Sequence, residues 1–260
     1  MARLIFFDDT HTYTVDGEEF PSVSEISRFA SREVYGEVSQ FNLDNACSRG
    51  SAVHKATEIL DKYGKCECEE DIVPYIQAYV QFRKDFGIKD YEFIEKALAN
   101  EELKYAGTID RIYKVDETFA NALKEHCKEF VMIDTNGKVS KTKSETIVDI
   151  GSLAIIDLKS SSVVQNVLAL IQLNAYKLAA EINNLGEIGS LFILHLDKNG
   201  NYKLISYELT DELFKSCLTL HKALQKKKIS KSKCKAVERN YLGLGKVKEI
   251  IEEENTENEG

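Results

Sequence analysis

In the segment AIIDLKSSS, residues 154–162, an extended chain puts Asp157 and Lys159 on one face and turns Leu158 to the other, because side chains alternate along a strand. A carboxylate and an amine in one small site suit phosphodiester hydrolysis. The carboxylate can hold a divalent cation, and the amine can stabilise charge or help activate water. The three-residue pattern is not selective by itself: Glu102-Leu103-Lys104 satisfies it equally, and an exposed ion pair on a strand would look the same. A second acid, Asp110, lies in YAGTIDRI between Ile109 and Ile112. An acid in an apolar strand is costly unless paired or metal-bound. Its alternative partners are Arg111 or a backbone turn. Asp157 and Lys159 are both expected at a solvent-accessible site, so that replacing either removes chemistry with little loss of fold.

Two helical pairs supply further candidates. In SRGSAVHKATE, Gly50 stands four residues before His54, and Glu58 lies one turn further along the same face. Neutral imidazole is a metal ligand, although a lone helical histidine also serves as surface or satisfied core. Gly50 is expected to let a helix begin close to the sheet, with His54 one turn in. In IQLNAYKLA, Gln172 and Tyr176 fall at i and i+4, presenting an amide and a phenol side by side.

The elements that must position these residues are legible in outline. HTYTVDGEEFPSVSEISRF reads as two short strands around a turn at Asp16 and Gly17, then a helix started by Ser22 or Ser24. Residues 45–62 have a helical rhythm once past Gly50, and another helix is expected over roughly 71–86. YEFIEKALA, KYAGTIDRIYKV, ETIVDIG and LAIIDLKSS are short, rich in β-branched or aromatic residues, and separated by turn-like breaks, so they read as strands. VVQNVLALIQLNAYKLAAEIN is the clearest helix; the strands GSLFILHLD and YKLISYEL and a last helix near 211–228 follow. This order predicts an α/β fold with a central mixed sheet flanked by helices. A single domain over 1–248 is expected: a hairpin and helical part (about 1–90), a core (about 91–210) interrupted by an insertion (about 115–147), a C-terminal helix, and a disordered acidic tail, 249–260.

Taken in order, G-x-x-x-H (Gly50, His54), G-x-x-D (Gly107, Asp110), D-x-K (Asp157, Lys159) and Q-x-x-x-Y (Gln172, Tyr176) resemble the RecB-like nucleases of the PD-(D/E)XK superfamily, over roughly residues 49–196. His11, Tyr13, Gly17 and Pro21-Ser22-Val23 look like the opening of phage-encoded members. The resemblance implies a restriction-endonuclease-like core and a metal-dependent DNA exonuclease, phage-related or related to recombination and repair. It implies Mg²⁺ or Mn²⁺ held by Asp110, Asp157, the Leu158 carbonyl and His54, with Lys159 as the catalytic lysine. Gln172 and Tyr176 would contact the DNA strand or orient the lysine, with Glu58 a neighbour. An imidazole beside carboxylates makes Mn²⁺ at least as suitable as Mg²⁺. DNA is the implied partner, together with a single-strand annealing or other recombination protein. The alternatives are an endonuclease or end-trimming nuclease with the same site, or a non-catalytic DNA-binding protein of the same fold.

Two departures stand out. Members with an iron–sulfur cluster carry one early cysteine and three closely spaced late ones; here Cys47 is early, but only Cys217 and Cys234 are late, and no cluster is expected. Asp110 and Asp157 are separated by 46 residues where a short turn between their strands is usual, which makes Asp149 in TIVDIG a rival acid. Asp157 is preferred for its spacing to Lys159.

The net charge of −9 argues against a simple basic nucleic-acid-binding module, but not against a hydrolase that collects cations with carboxylates. The charge is also segregated: residues 222–235 carry seven Lys, and the tail EIIEEENTENEG has six Glu and no Lys. No stretch approaches the roughly 18 to 20 apolar residues of a membrane helix. The six scattered cysteines are expected to be reduced, in a cytoplasmic protein of a bacterium or phage-infected cell with no membrane partner.

Overall fold

The computed structural model describes residues 3–7, 10, 12–36, 38–143 and 146–227. His11, Cys234, the acidic tail and most of the lysine-rich run lie outside them. The chain divides into two compact units, Met1–His221 and Lys222–Gly260; in the second only residues 222–227, the end of one helix, are described. Among the described residues no helix is long and apolar enough to cross a membrane.

The first strands, β1 (Leu4–Phe7), β2 (Thr12–Val15) and β3 (Glu18–Phe20), form a small antiparallel sheet. The β2–β3 turn has positive φ at both Asp16 (50°) and Gly17 (87°), as a two-residue hairpin between right-twisted strands requires. Of the two candidate serines, Ser22 starts the next helix: its Oγ accepts from Glu25 N while Glu25 accepts from Ser22 N. Then follow helices α1 (Val23–Ile26), α2 (Arg28–Tyr35), α3 (Gln40–Tyr63) and α4 (Val73–Asp85). α3 begins at Gln40, capped by Ser39 and ten residues before Gly50, which corrects the expectation that the helix opens at that glycine. Gly50 is mid-helix, and a Cβ there would meet Ser160 Oγ at 3.9 Å, an ordinary contact, so the packing against the loop after the Asp157 strand does not itself demand a glycine.

Ten further elements complete the described chain: β4 (Phe93–Asn100), β5 (Tyr105–Lys114), α5 (Glu117–His126), β6 (Glu129–Ile133), β7 (Val139–Lys143), β8 (Leu153–Lys159), α6 (Asn166–Ile182), β9 (Ile188–Leu196), β10 (Tyr202–Tyr207) and α7 (Glu212–Lys227). The central sheet has seven strands in the order β4-β5-β8-β9-β10-β6-β7, parallel only between β8 and β9 and between β10 and β6. It is a mixed sheet with helices on both faces. On one face Ile112, Ile155, Ile193 and Ile205 pack with Leu170 and Leu173 of α6; on the other Ile156, Leu158, Phe192 and Leu194 pack with Val53 of α3 and Tyr79 and Phe82 of α4.

The stretch expected as an insertion is built into this sheet. β6 joins β10 and β7 forms the edge, while Phe119, Leu123 and Val131 are fully buried. Of ETIVDIG, the described residues 146–151 form no strand: Ile147 is 90% exposed and these residues have no ladder partner, so their β-type composition is not matched by burial.

Candidate active site

β5 and β8 carry the two acids, and the ladder between them ends there. The last recorded pair is Arg111↔Ile156, so Asp110 and Asp157 are the first residues beyond it. Where the next backbone bond would fall, the Asp110 carboxylate substitutes: Oδ2 accepts from Leu158 N at 2.7 Å. That satisfies a backbone donor while leaving the Leu158 carbonyl turned toward α3, where His54 Nε2 lies 3.1 Å away. The other ring nitrogen, Nδ1, is 3.5 Å from Asp110 Oδ1. His54 faces the sheet from one turn beyond Gly50, as the spacing requires, even though the helix starts earlier.

Asp157 points to the opposite helix. Gln172 Nε2 donates to Asp157 Oδ1 at 3.0 Å and lies 2.9 Å from the Tyr176 hydroxyl, while Gln172 Oε1 accepts from Lys159 Nζ at 3.0 Å. One amide therefore fixes both members of D-x-K, using the i, i+4 stagger of α6. Lys159 Nζ stands 2.6 Å from Asp157 Oδ2. This is a close ion pair, with the ammonium shared between the Asp157 carboxylate and the Gln172 amide oxygen. Asp157 is 1% exposed and Lys159 is 29% exposed at the side chain, so only the lysine reaches solvent and the expected open site is corrected for the aspartate. The reason is α6, whose Gln172 and Tyr176 cover it.

The glycine of G-x-x-D has a steric role. A Cβ on Gly107 would lie 2.8 Å from Tyr176 Cε1 and 3.1 Å from Val23 Cγ2. The bare backbone lets the Tyr176 ring lie against β5.

A third acid joins the site that the sequence reading missed. His54, Glu95 and Asp110 each offer one ligand atom, all within 4.8 Å of one another. Glu95 lies in β4 with φ of 49°, a left-handed conformation unusual for a residue with a side chain, and Arg111 Nη1 donates to its Oε1 at 2.9 Å. The available signal was an acid in an apolar β segment, the same feature that marks Asp110; nothing local tells it from Glu92.

Other candidates stand elsewhere. Glu58 is half-buried on α3, paired with Lys55 and Lys62, and is outside the group of three. Glu102 is exposed in the β4–β5 turn, and Asp149 is exposed in the loop before β8, its carbonyl accepting from Ser152.

The electrostatics are those of crowded acids. Burial and the nearby Asp110 charge push Asp157 up to about 6, and burial with Asp110 pushes Glu95 up to about 7. Asp110 itself moves down to about 2: burial acts the other way, but the charge and hydrogen bond of His54, then Lys159 and the Leu158 N–H, outweigh it. His54 rises to about 9, burial being overcome by Asp110. Lys159 is raised because Asp157 and Asp110 outweigh its desolvation, so it is an ammonium at neutral pH.

These residues fit a divalent cation. Two carboxylates, Glu95 and Asp110, converge with the His54 imidazole and the Leu158 carbonyl, and the acids repel one another in a way that a cation would relieve; Asp157 stands outside this group of three and is ion-paired with Lys159.

No family model matches the chain, and no curated protein matches it. A solved structure from Eubacterium rectale, named "Putative exonuclease", aligns with TM-score 0.29 and 16% identity over 81% of this chain and 80% of that one, a similarity too low to transfer an activity.

Proposed function

We propose that this chain is a metal-dependent deoxyribonuclease with a restriction-endonuclease-like PD-(D/E)XK core of the RecB-like type, acting as an exonuclease. The observation that carries this reading is the meeting of Asp110, Asp157 and Lys159 where the β5–β8 ladder ends, with His54 on one side and Gln172 on the other.

Asp110, Asp157, the Leu158 carbonyl and His54 would hold Mg²⁺ or Mn²⁺, with Glu95 added to the set that the sequence suggested. Bound there, the cation supplies Lewis-acid stabilisation of charge on a phosphodiester and lowers the pKa of water. The residues themselves do the rest. Lys159, held as an ammonium by Asp157, places a positive charge where a phosphate oxygen gains charge. Gln172 keeps that lysine and Asp157 in one arrangement and prevents Asp157 from rotating away. Tyr176, with its hydroxyl near Gln172 and its ring against Gly107, braces the amide.

Digestion of end-labelled linear DNA and of closed circular DNA, each with Mg²⁺, Mn²⁺ or EDTA, tests the reading. Release of mononucleotides or short products from linear DNA, dependent on metal and lost in Asp157→Asn, is expected. Cleavage of closed circles would replace the exonuclease mode by an endonuclease with the same site, and absence of cleavage in either metal would overturn the nuclease reading.

A further inference from the structure

Arg111, next in the chain to Asp110, is fully buried, and its guanidinium ties together the three elements that bear His54, Glu95 and Asp110. Nε donates to Asp61 Oδ2 at 2.6 Å and lies 3.3 Å from the Tyr79 hydroxyl. Nη1 donates to Glu95 Oε1 at 2.9 Å and to the Asp110 carbonyl at 2.7 Å, and Nη2 donates to Thr57 Oγ1 at 3.2 Å. Thr57 and Asp61 share the α3 face of His54, being three and seven residues further on. Thr57 is also tied to that turn directly, its Oγ1 donating to the His54 carbonyl at 2.9 Å.

A buried ion pair stabilises little compared with apolar side chains of the same volume. Stability alone therefore does not account for a guanidinium here. What it supplies is a planar fork with fixed donor directions, which a lysine cannot reproduce. One branch reaches α3, another reaches β4 and β5. The branch to Glu95 holds the one β4 residue with a left-handed backbone, turning its carboxylate toward Asp110 and His54.

We propose that Arg111 is the positioning residue of the cation site: its fork sets the spacing of His54, Glu95 and Asp110, with Asp61 and Thr57 as its anchors on α3. This rests on the reading of that group as a cation site, and the two can fail separately. The first measurement is Mn²⁺ binding to the metal-free full chain, followed by the electron paramagnetic resonance signal of free Mn²⁺, with the imidazole-nitrogen modulation of the bound ion as a signature of His54. Arg111→Lys keeps the charge next to Asp61 and loses the fork. It is expected to weaken Mn²⁺ at least tenfold and to diminish the nitrogen modulation. Thr57→Val, which removes one anchor at nearly constant shape, is expected to weaken Mn²⁺ several-fold, with Thr57→Ser restoring it; this pair decides the matter if Arg111→Lys does not fold. Tyr202→Phe removes a part-buried hydroxyl that donates to Asp85 and has no bond to Arg111, Asp61, Thr57, Glu95 or Asp110. It is expected to lower the unfolding temperature and leave Mn²⁺ affinity within twofold. If folded Arg111→Lys or Thr57→Val binds Mn²⁺ like the wild type, or if Tyr202→Phe weakens it as much as they do, the positioning role is overturned. If the wild type binds no Mn²⁺, the cation reading falls and the inference with it.

Discussion

Replacing Gly107 by alanine tests the link between the G-x-x-D spacing and the site. In an ordinary strand the change would stabilise the protein, since alanine restricts the unfolded chain by about 0.4 to 1 kcal/mol. Here the new Cβ would lie 2.8 Å from Tyr176 Cε1 and 3.1 Å from Val23 Cγ2, against a comfortable carbon–carbon separation of about 3.5 to 4.0 Å. The Tyr176 ring must retreat by roughly 0.5 to 1 Å, judged from that shortfall. It is 6% exposed and wedged between β5 and α6, so it has no solvent to swing into. Overpacking of this kind costs about 1 to 3 kcal/mol. For a folded unit of this size, Met1–His221, each kcal/mol lowers the midpoint by about 2 to 4 °C. Scanning calorimetry should therefore show a fall of about 2 to 12 °C, on the same scale. Tyr176 lies beside Gln172, and Gln172 holds Asp157 and Lys159, so a shift near 1 Å is expected to cut cleavage by up to about 100-fold. Tyr176→Leu, which has no Cε1, is expected to relieve the clash, so that the two substitutions together cost less stability than their sum. An unfolding temperature equal to or above that of the wild type, with full cleavage, would refute the argument.

Asp157→Asn and Lys159→Met are each expected to lower cleavage by about 100- to 1000-fold, the order seen for loss of a major charge-stabilising group, whereas Glu102→Ala on the exposed turn leaves it unchanged; end-labelled digestion compares all three. In EDTA, stability is expected to fall as pH rises from about 6.5 to 9. The His54 pKa is raised in the folded state, so its contribution is complete below the unfolded value and disappears as pH passes through about 9; thermal melts across that range should show the slope, and His54→Gln should flatten it. Mn²⁺ affinity should change in the opposite sense, rising over the same range because the cation must displace the His54 proton, and titrations at pH 6.5 and 8.5 check this. His54→Ala is expected to weaken cleavage more in Mg²⁺ than in Mn²⁺, since Mn²⁺ tolerates looser geometry; wild-type activity in Mg²⁺ would remove His54 from the site.

The parts of the site legible in the sequence are those whose geometry is local. Asp157 and Lys159 follow from the period of a strand, and Gln172 and Tyr176 from one helical turn; no distant residue is needed to state either relation. The turn at Asp16 and Gly17, the Ser22 cap and the long helix after β8 are legible for the same reason. The α3 start was missed because Ser39 carries a weaker pattern than the apolar rhythm after Gly50, and ETIVDIG was misread because β-type composition reports side-chain chemistry without reporting whether a neighbouring strand exists.

Tertiary structure decided the rest. The segment 115–147 looks like an interruption in one dimension, yet β6 and β7 complete the sheet beside β10, a pairing across more than 70 residues that no local pattern encodes. Glu95 has the same local surroundings as many strand acids; it enters the site only because the backbone turns left-handed and Arg111 holds its carboxylate. The depth of Asp157 likewise depends on α6 lying over it. The sequence by itself determined which chemical groups are available and which of them share a strand face or a helix turn. Their convergence, burial and shifted acidities depend on long-range packing, because electrostatic coupling and desolvation are set by distances between elements that chain spacing does not fix.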